Sequence, residues 1–365
     1  MKPSAATTAD LLSLAPYSLA ASEKQPQLLS VLNGLTELHR RACQPYARIL
    51  AAFHPGAGEA AIVTDVPFIP VGLFKSHELV SVPRDAVFKT LTSSGTTGAQ
   101  VSRIFLDRQT AARQTQALAK IMTDFLGQAR LPMIIIDTSA VLSDRKSFSA
   151  RGAGILGMMT FGRDHFFAVD AEMNLDREGL RAFLARHADG PFLLFGFTFM
   201  VWQYLLKALG DERIDLSRGV LVHGGGWKKL REQAVSNDRF KQGLHDATGL
   251  ARVHNFYGLV EQVGSIFVEC QEGVLHTPCF AEVIVRDPRT LLPAPRGQTG
   301  VIQLLSVLPE SYPGHSLLTE DLGCLVGVDD CPCGRRGTTF HVEGRVAGVE
   351  LRGCSDTHVA SRQVA

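Results

Sequence analysis

The chain has 365 residues, of which 45% are hydrophobic and 20% charged, and its formal net charge is +1. This balance indicates a folded globule of one large or two ordinary domains and excludes a disordered chain. No basic cluster dominates, which argues against nucleic acid as the main partner. No apolar run reaches the roughly 20 residues of a membrane span. Without a signal-peptide pattern, the odd number of cysteines predicts reduced thiols and a cytoplasmic location.

Hydrophobic spacing predicts an alternation of helices and strands in the first part of the chain. In chain order we expect a helix over 27–52, a connector over 67–74, a helix over 107–126 with Asp107 as its N-cap, a strand over 133–137, a helix over 177–187, a strand over 192–195, a helix over 199–209 and a strand over 220–223. Such alternation is typical of an α/β core with parallel strands, here over about 1–263.

From about residue 264 the pattern changes to short alternating strands over 265–269, 281–285 and 301–305. We therefore expect a β-rich subdomain over about 264–345 and a short tail over 346–365.

The loop over 90–98 follows the apolar run 86–88 and is rich in glycine and hydroxyl side chains. Its members are Ser93, Ser94, Gly95, Thr96, Thr97 and Gly98. Glycine lets the backbone approach a ligand closely, and consecutive N–H groups form a concave anion site. The loop is not a P-loop, because no Gly-Lys-Ser/Thr follows. It predicts a polyphosphate site, and a flexible surface loop is the alternative.

Further motifs follow in a fixed order: His223-Gly224-Gly225-Gly226-Trp227-Lys228, Asn255-Phe256-Tyr257-Gly258-Leu259-Val260-Glu261, Thr319-Glu320-Asp321-Leu322-Gly323 and Glu343-Gly344-Arg345. Together they resemble the adenylate-forming superfamily of acyl-CoA synthetases, peptide-synthetase adenylation domains and luciferases. Tyr312-Pro313-Gly314-His315, Cys333-Gly334-Arg335 and Arg352-Gly353-Cys354-Ser355 make the chain most similar to LuxE-type acyl-protein synthetases. Phenylacetate–CoA ligases are more distant relatives.

The resemblance implies the N-terminal domain of an adenylate-forming enzyme, with ATP and Mg²⁺ as cofactors. It implies that Glu261 is the Mg²⁺ carboxylate, that Tyr257 packs near the adenine, and that Asp321 accepts from the ribose hydroxyls. The remaining nucleotide-binding positions are the loop 93–98, Gly224, Gly225, Gly226, Asn255, Gly258 and Arg345. Val260 stands where the family has a threonine, so one phosphate-binding hydroxyl is missing.

About twenty residues follow Arg345. The resemblance therefore implies that the mobile C-terminal domain and its catalytic lysine are absent, as in LuxE-type enzymes. In those enzymes a cysteine near the C-terminus accepts the acyl group and delivers it to a reductase partner. Cys354 matches that position, and the neighbouring Arg352 favours its thiolate. An ordinary tail cysteine is the alternative.

Four soft ligands have the right number for tetrahedral zinc: Cys270, His276, Cys331 and Cys333, with Cys279 as a substitute. Similar residues bind zinc in some relatives of the phenylacetate–CoA ligases. A small thiol cluster is the alternative. His223 and His315 are candidate contacts to a carboxylate or phosphate, although single histidines are more often structural. The aromatic run 192–199 fits either an acyl pocket or ordinary core.

The sequence thus predicts a carboxylate-adenylating ligase that forms acyl-AMP from a carboxylic acid, chiefly a fatty acid, and passes the acyl group through Cys354 to an acyl reductase or another acceptor protein. One alternative is adenylation of an aromatic, phenazine-type acid in secondary-metabolite (antibiotic) biosynthesis. Another is a non-catalytic nucleotide-binding subunit that regulates an acyl reductase. Retention of Glu261, Asp321 and Arg345 argues against that alternative.

Overall fold

The computed structural model describes residues 6–93, 101–142, 150–227 and 232–346. They divide into two compact units. The first unit comprises 6–93, 101–125 and 257–346, and the second comprises 126–142, 150–227 and 232–256. No helix among these residues has the length and apolarity that crossing a membrane requires.

The helices and strands alternate through the middle of the chain, and strands dominate its last third. The helices are α1 (Thr8–Ser13), α2 (Ala21–Ala42), α3 (Gln44–Phe53), α4 (Leu73–Ser76), α5 (Arg108–Leu126), α6 (Ala150–Met159), α7 (Arg177–Arg186), α8 (Thr198–Val201), α9 (Lys207–Leu209) and α10 (Asn237–Thr248). The strands are β1 (Ile69–Pro70), β2 (Lys89–Thr92), β3 (Arg103–Leu106), β4 (Leu131–Ile135), β5 (Gly162–Phe167), β6 (Phe192–Phe197), β7 (Gly219–Gly224), β8 (Arg252–Tyr257), β9 (Phe267–Val268), β10 (Leu275–His276), β11 (Ala281–Arg286), β12 (Gly300–Ser306), β13 (Ser316–Val328) and β14 (Thr338–Arg345).

The second unit is built on a parallel sheet with strand order β5-β4-β6-β7-β8. Every residue of β6 and β7 is buried, as expected for central strands of a parallel sheet. Apolar residues of α7, α10 and the segment around α8 and α9 complete this core, including Leu180, Leu205 and Phe240. The predicted α/β core with parallel strands is therefore confirmed.

The first unit contains an antiparallel sheet with strand order β10-β14-β13-β12-β11, and β1 pairs in parallel with β13. A separate hairpin joins β2 to β3. Helix α3 packs a second core against these strands, with Tyr46, Leu50 and Leu317 among its buried members. The predicted change to β-rich structure near residue 264 agrees with the strands β9 to β14.

The long hairpin of β13 and β14 contains two bulges that compensate each other. Leu322 pairs with Gly344, but Gly323 pairs with Val342, so β14 holds one extra residue there. Leu325 pairs with Phe340 and Gly327 with Thr339, so β13 holds the second extra residue. The register at the loop end is therefore the same as at the Asp321 end.

Local signals explain most helix boundaries. The Asp107 carboxylate accepts a 2.7 Å bond from the Thr110 N–H, which confirms it as the cap of α5. The single helix predicted over 27–52 is instead two helices separated at Cys43, whose backbone is extended. Pro45 explains the break, because proline suits the first turn of a new helix and not the middle of a continuous one. Between α8 and α9, Trp202–Leu206 forms a π-helical turn.

Candidate active site and metal centre

The predicted phosphate loop lies largely outside the described residues, which hold Ser93 but not Ser94, Gly95, Thr96, Thr97 or Gly98. Ser93 closes the hairpin of β2 and β3. Its N–H donates to the Ser102 carbonyl at 3.1 Å, and its Oγ accepts from the Ser102 N–H at 2.9 Å. The first residue of the loop is thus fixed by the hairpin that presents it.

Asp321 is held from two sides within the first unit by residues that the motifs singled out. The Tyr257 hydroxyl donates to Asp321 Oδ2 at 2.7 Å, and Arg345 Nε donates to Oδ1 at 3.2 Å. Arg345 faces Asp321 because the two residues are register partners on β14 and β13. The Thr319 hydroxyl also accepts from the Asp321 N–H at 3.1 Å. We call Tyr257, Asp321 and Arg345 the Asp321 cluster.

The Tyr257 ring packs beside two phenylalanines: the centroids of Phe267 and Phe340 are each 6.3 Å from it and 5.3 Å from each other. Burial, followed by the neighbouring Asp321, raises the pKa of Tyr257 well above its ordinary value. The hydroxyl therefore stays protonated and donates to the carboxylate. This positioning role is additional to the predicted contact with adenine.

Glu261 lies on the 3₁₀ turn Val260–Gln262 of the first unit and is only 7% exposed. The turn is fixed by Gln262, whose side-chain nitrogen donates to the Leu304 and Gly314 carbonyls at 3.0 and 2.7 Å. Burial raises the pKa of Glu261, against smaller lowering effects of the Ser102 side chain and Lys75. A buried carboxylate of this kind is costly unless a cation neutralises it.

Two charged residues near Glu261 were given no role by the sequence analysis. Lys75, at the end of α4, stabilises the charged form of Glu261, and Glu320 destabilises it. Glu320 precedes Asp321 in the same strand, so the two side chains face opposite sides of the sheet. The signal for Glu320 was present in the Thr319-Glu320-Asp321 motif, whereas Lys75 lies on α4, shortly after the short strand β1 that pairs with β13.

The glycine motif ends β7 in the second unit. A Cβ on Gly224 would lie 2.6 Å from the Phe256 ring, so this glycine is already required by packing. Gly225 has a φ of +77°, where a side chain would be strained. A Cβ on Gly226 would meet nothing within 4 Å. Asn255 pairs with His223 across β7 and β8.

Gly258 lies in the first unit and follows β8. A Cβ on it would come within 3.1 Å of Ile266 Cγ2. The nucleotide contacts predicted for the glycine motif, Asn255 and Gly258 stay predictions.

Both candidate histidines are buried and neutral. Burial lowers the pKa of His223 to about 3 and that of His315 well below its usual range. Thr198 Oγ1 donates to the Gly224 carbonyl at 3.2 Å and lies 3.0 Å from His223 Nδ1. The direction of the Thr198–His223 hydrogen bond sets which ring nitrogen of His223 carries the proton, and the predicted contact of His223 with an anion stays a prediction. His315 Nε2 bonds Thr36 Oγ1 at 2.9 Å, which is a structural contact.

The four predicted metal ligands meet in the first unit. Their ligand atoms, from Cys270, His276, Cys331 and Cys333, all lie within 4.8 Å of one another. The Cys270 and Cys331 sulfurs are 3.8 Å apart, and Cys333 Sγ is 3.3 Å from His276 Nε2. A tetrahedral zinc with bonds of about 2.3 Å to sulfur separates its sulfurs by about 3.8 Å. We call this group the Cys–His cluster.

Burial is the largest effect on the thiols of the Cys–His cluster, and it raises the pKa of Cys270 and Cys331. Backbone N–H groups act against burial at these two thiols, and hydrogen bonds lower the pKa of Cys333 overall. Burial lowers the pKa of His276 to about 4, so its imidazole is neutral and able to bind a cation. Cys279 is not part of the cluster, since its thiol donates to the Leu11 carbonyl at 3.3 Å. The residues present therefore fit a metal ion.

Cys354, the predicted acyl acceptor, lies outside the described residues. Within the aromatic run, Phe192, Phe195 and Phe197 are buried in the second unit. Phe195 stacks on Phe256 with centroids 6.4 Å apart. These contacts account for their burial as core residues.

The comparisons with known proteins bear on the family. The sequence profile described as "Acyl-protein synthetase, LuxE" matches residues 3–362. The chain belongs to this family. The long-chain-fatty-acid–luciferin-component ligase of Vibrio harveyi is 25% identical over 359 residues, covering 95% of this chain and 91% of the relative. The ligase of the same name from Aliivibrio fischeri is 22% identical over 302 residues, covering 80% and 78%.

Solved structures of adenylate-forming ligases share the fold. An open conformation of 2-hydroxyisobutyryl-CoA ligase, in complex with 2-HIB-AMP and CoA, has a TM-score of 0.68 at 18% identity and covers 92% of this chain and 78% of that one. The same ligase in the postadenylation state has a TM-score of 0.67 at 18% identity, covering 90% and 69%. The predicted family, fold class and ligase character of this LuxE-family chain are thereby confirmed, and the family supports acyl activation.

Proposed function

We propose that this LuxE-family enzyme uses ATP and Mg²⁺ to convert a long-chain fatty acid into acyl-AMP, transfers the acyl group to Cys354, and delivers it to a partner acyl reductase. The names of the Vibrio and Aliivibrio relatives support a long-chain fatty acid as the substrate. The observation that carries the proposal is the Asp321 cluster, which presents a fixed carboxylate within a family of acyl-protein synthetases.

The Asp321 cluster suits the ribose of ATP. Tyr257 and Arg345 each donate to a different oxygen of the Asp321 carboxylate. Each oxygen keeps a further lone pair, so the carboxylate accepts from two neighbouring ribose hydroxyls without moving. Because the carboxylate is fixed before the nucleotide arrives, binding costs less conformational entropy.

The adenylation step joins two anions, a carboxylate and the α-phosphate, and releases pyrophosphate. Mg²⁺ supplies the charge neutralisation that this attack requires. Glu261 is the residue that would hold the cation, because it is a buried carboxylate with a raised pKa. Lys75 adds positive charge near Glu261, and Glu320 is a second carboxylate for the same region.

The transfer step needs a nucleophile, for which we propose Cys354. Its thiolate sulfur attacks the acyl carbonyl carbon of acyl-AMP, a C–S bond forms, and the C–O bond to the phosphate breaks to release AMP. The thioester then passes to a thiol or other nucleophile on the partner protein. Arg352, two residues away, favours the thiolate.

We further propose that the Cys–His cluster holds a structural zinc ion. Three sulfurs and one imidazole nitrogen form a closed set of four ligands, which leaves no open position for catalysis. The ion would fix the loop between β13 and β14, which supplies two of the sulfurs, to His276 on β10.

Acid-dependent exchange between ATP and labelled pyrophosphate, measured over fatty and aromatic acids, tests the proposal. We expect exchange with long-chain fatty acids. Exchange with aromatic acids alone would favour the phenazine-type alternative, and no exchange with any acid would favour a regulatory subunit. For the transfer step, Cys354→Ser should keep exchange and lose the hydroxylamine-sensitive label from radioactive acid and ATP. A serine variant labelled like wild type would exclude Cys354 as the acceptor.

A further inference from the structure

Arg335 is the residue of the Cys333-Gly334-Arg335 motif for which the proposed reaction has no role. Its Nε donates to Oδ1 of Asp124 at 2.7 Å, near the end of α5. Its guanidinium lies over the ring of Phe125, 4.0 Å from the centroid, and 5.7 Å from the centroid of Tyr17. The side chain is only 18% exposed. Arg335 is therefore held in one place by a carboxylate and two aromatic rings.

Arg335 lies beside the Cys–His cluster, two positions after the ligand Cys333. Burial raises the pKa of the Cys333 thiol, and Arg335 acts against burial by lowering that pKa. The Tyr17 ring, which the guanidinium approaches, lies edge-on to His276 with centroids 5.9 Å apart. The guanidinium thus lies next to the aromatic ring that packs against the ligand imidazole, on the same loop as the ligand Cys333.

The charge of the centre explains why a cation belongs there. Three thiolates, a neutral imidazole and a divalent metal ion leave one uncompensated negative charge. A charge in a largely buried site is costly unless it is paired and hydrogen-bonded. Arginine can compensate this negative charge and bind Asp124 at the same time, because its planar guanidinium offers five N–H donors and stacks on aromatic rings.

We propose that Arg335 is a positioning residue of the Cys–His cluster: it neutralises the excess negative charge of the metal-bound thiolates and fixes the ligand loop to α5 through Asp124. This inference rests on the proposed metal centre and goes beyond it, because residues outside the ligand set commonly set metal affinity. It also assigns α5 a part in holding the metal loop.

The test compares Arg335→Gln with Arg296→Gln, which removes the same charge from an exposed arginine. Arg296 is a suitable control because it pairs with Asp330 of the same β13–β14 loop at 2.9 Å without touching the cluster. We would measure zinc affinity by competition with a chromophoric chelator, and the thiolate-to-cobalt absorption after exchange for Co²⁺. We expect Arg335→Gln to weaken zinc binding by about 10- to 100-fold and to shift the cobalt band, while Arg296→Gln matches wild type.

Equal zinc affinities for the two variants would overturn the role of Arg335. If Arg335→Gln does not fold, Asp124→Asn replaces it and should weaken zinc binding by a smaller factor, because the cation remains but its anchor is lost. Wild-type affinity in that variant would likewise overturn the proposal. Wild-type protein that binds neither zinc nor cobalt would remove the metal centre itself, and pyrophosphate exchange would then still report independently on the proposed enzymatic function.

Discussion

The Tyr257 hydroxyl donates a 2.7 Å hydrogen bond to Asp321 Oδ2, which joins two motifs that lie 64 residues apart in the sequence. Because Arg345 holds the other oxygen, the carboxylate has one orientation. We therefore expect the tyrosine to affect nucleotide binding through its oxygen as well as through its ring.

Tyr257→Phe should raise the KM for ATP by about 10-fold, since a hydrogen bond to a charged group is worth about 1.5–3 kcal/mol, with little change in KM for the acid. Asp321→Asn should have a larger effect, because it removes an acceptor for the ribose. Tyr204→Phe, in the second unit, serves as the control and should leave both constants unchanged. An unaltered KM for ATP in Tyr257→Phe would remove the hydroxyl from the nucleotide site. Pyrophosphate exchange at varied ATP concentration supplies the measurements.

Glu261→Gln should abolish pyrophosphate exchange and leave the protein equally or more stable. Burial raises the pKa of Glu261, so folding makes its ionised form less favourable than it is in water. A neutral amide removes that cost, but it also removes the carboxylate proposed to hold Mg²⁺. The rate of pyrophosphate exchange should therefore fall, while the melting temperature stays the same or rises. Glu59→Gln, at an exposed position, is the control, and near wild-type exchange in Glu261→Gln would contradict the assignment.

Cys331→Ser should release zinc and lower the melting temperature by about 5 °C or more, because a structural metal contributes folding energy. The matched control is Cys324→Ser on β13, which makes the same chemical change outside the Cys–His cluster. Elemental analysis of protein purified without chelators gives the zinc content. Wild-type protein free of zinc, or equal melting temperatures for the two variants, would leave only a thiol cluster.

The stability of the protein should fall as pH drops from about 7 towards 4, because His39 is buried and neutral. Burial lowers the pKa of His39 to about 4, from an ordinary 6.5. Between these values the unfolded chain binds the proton and the folded chain does not, so acid favours unfolding, by about 3 kcal/mol at most. The stacked His315 ring, 5.0 Å away, contributes in the same direction.

Denaturant unfolding at several pH values checks this, with His39→Gln for comparison. The His39 ring nitrogens lie 2.8 Å from Ser81 Oγ and 3.1 Å from the Pro309 carbonyl, and glutamine offers both an acceptor and a donor. The variant should lose part of the acid sensitivity. If its stability depends on pH as steeply as that of wild type, His39 is not responsible.

The sequence predicted the parallel core well because buried strands leave a local signature. The run 192–195 is apolar and short, and the structure extends it only to Phe197. The two long strands β13 and β14 were not predicted. They are interrupted by Gly323, Gly327 and Gly344. A Cβ on Gly323 would clash with the His341 carbonyl, one on Gly327 would clash with the Asp330 carboxylate, and Gly344 has a φ of +153°, and these constraints arise only in the folded hairpin.

The candidate site residues also divide into those with a signal in the sequence and those without one. Ordered motifs predicted Asp321, Arg345 and Tyr257. The chemistry of their side chains predicted the four metal ligands, although Cys270 and Cys331 are 61 residues apart. Lys75 was missed because its relation to Glu261 depends on the short strand β1, which pairs through only two residues. Such a contact has no periodic signal in the sequence.

Because the two bulges compensate each other, the strand register at one end of the β13–β14 hairpin equals the register at the other end. Asp321 and Arg345 face each other at one end, and the loop that carries Cys331 and Cys333 lies at the other. Loss of one bulge alone would shift the register at one end of the hairpin by one residue. The side chains of one strand at that end would then point to the opposite face of the sheet. The two ends of the hairpin therefore keep their mutual register only when both bulges are present or both are lost. The match between the two bulges, one extra residue on each strand, is what this hairpin has to preserve.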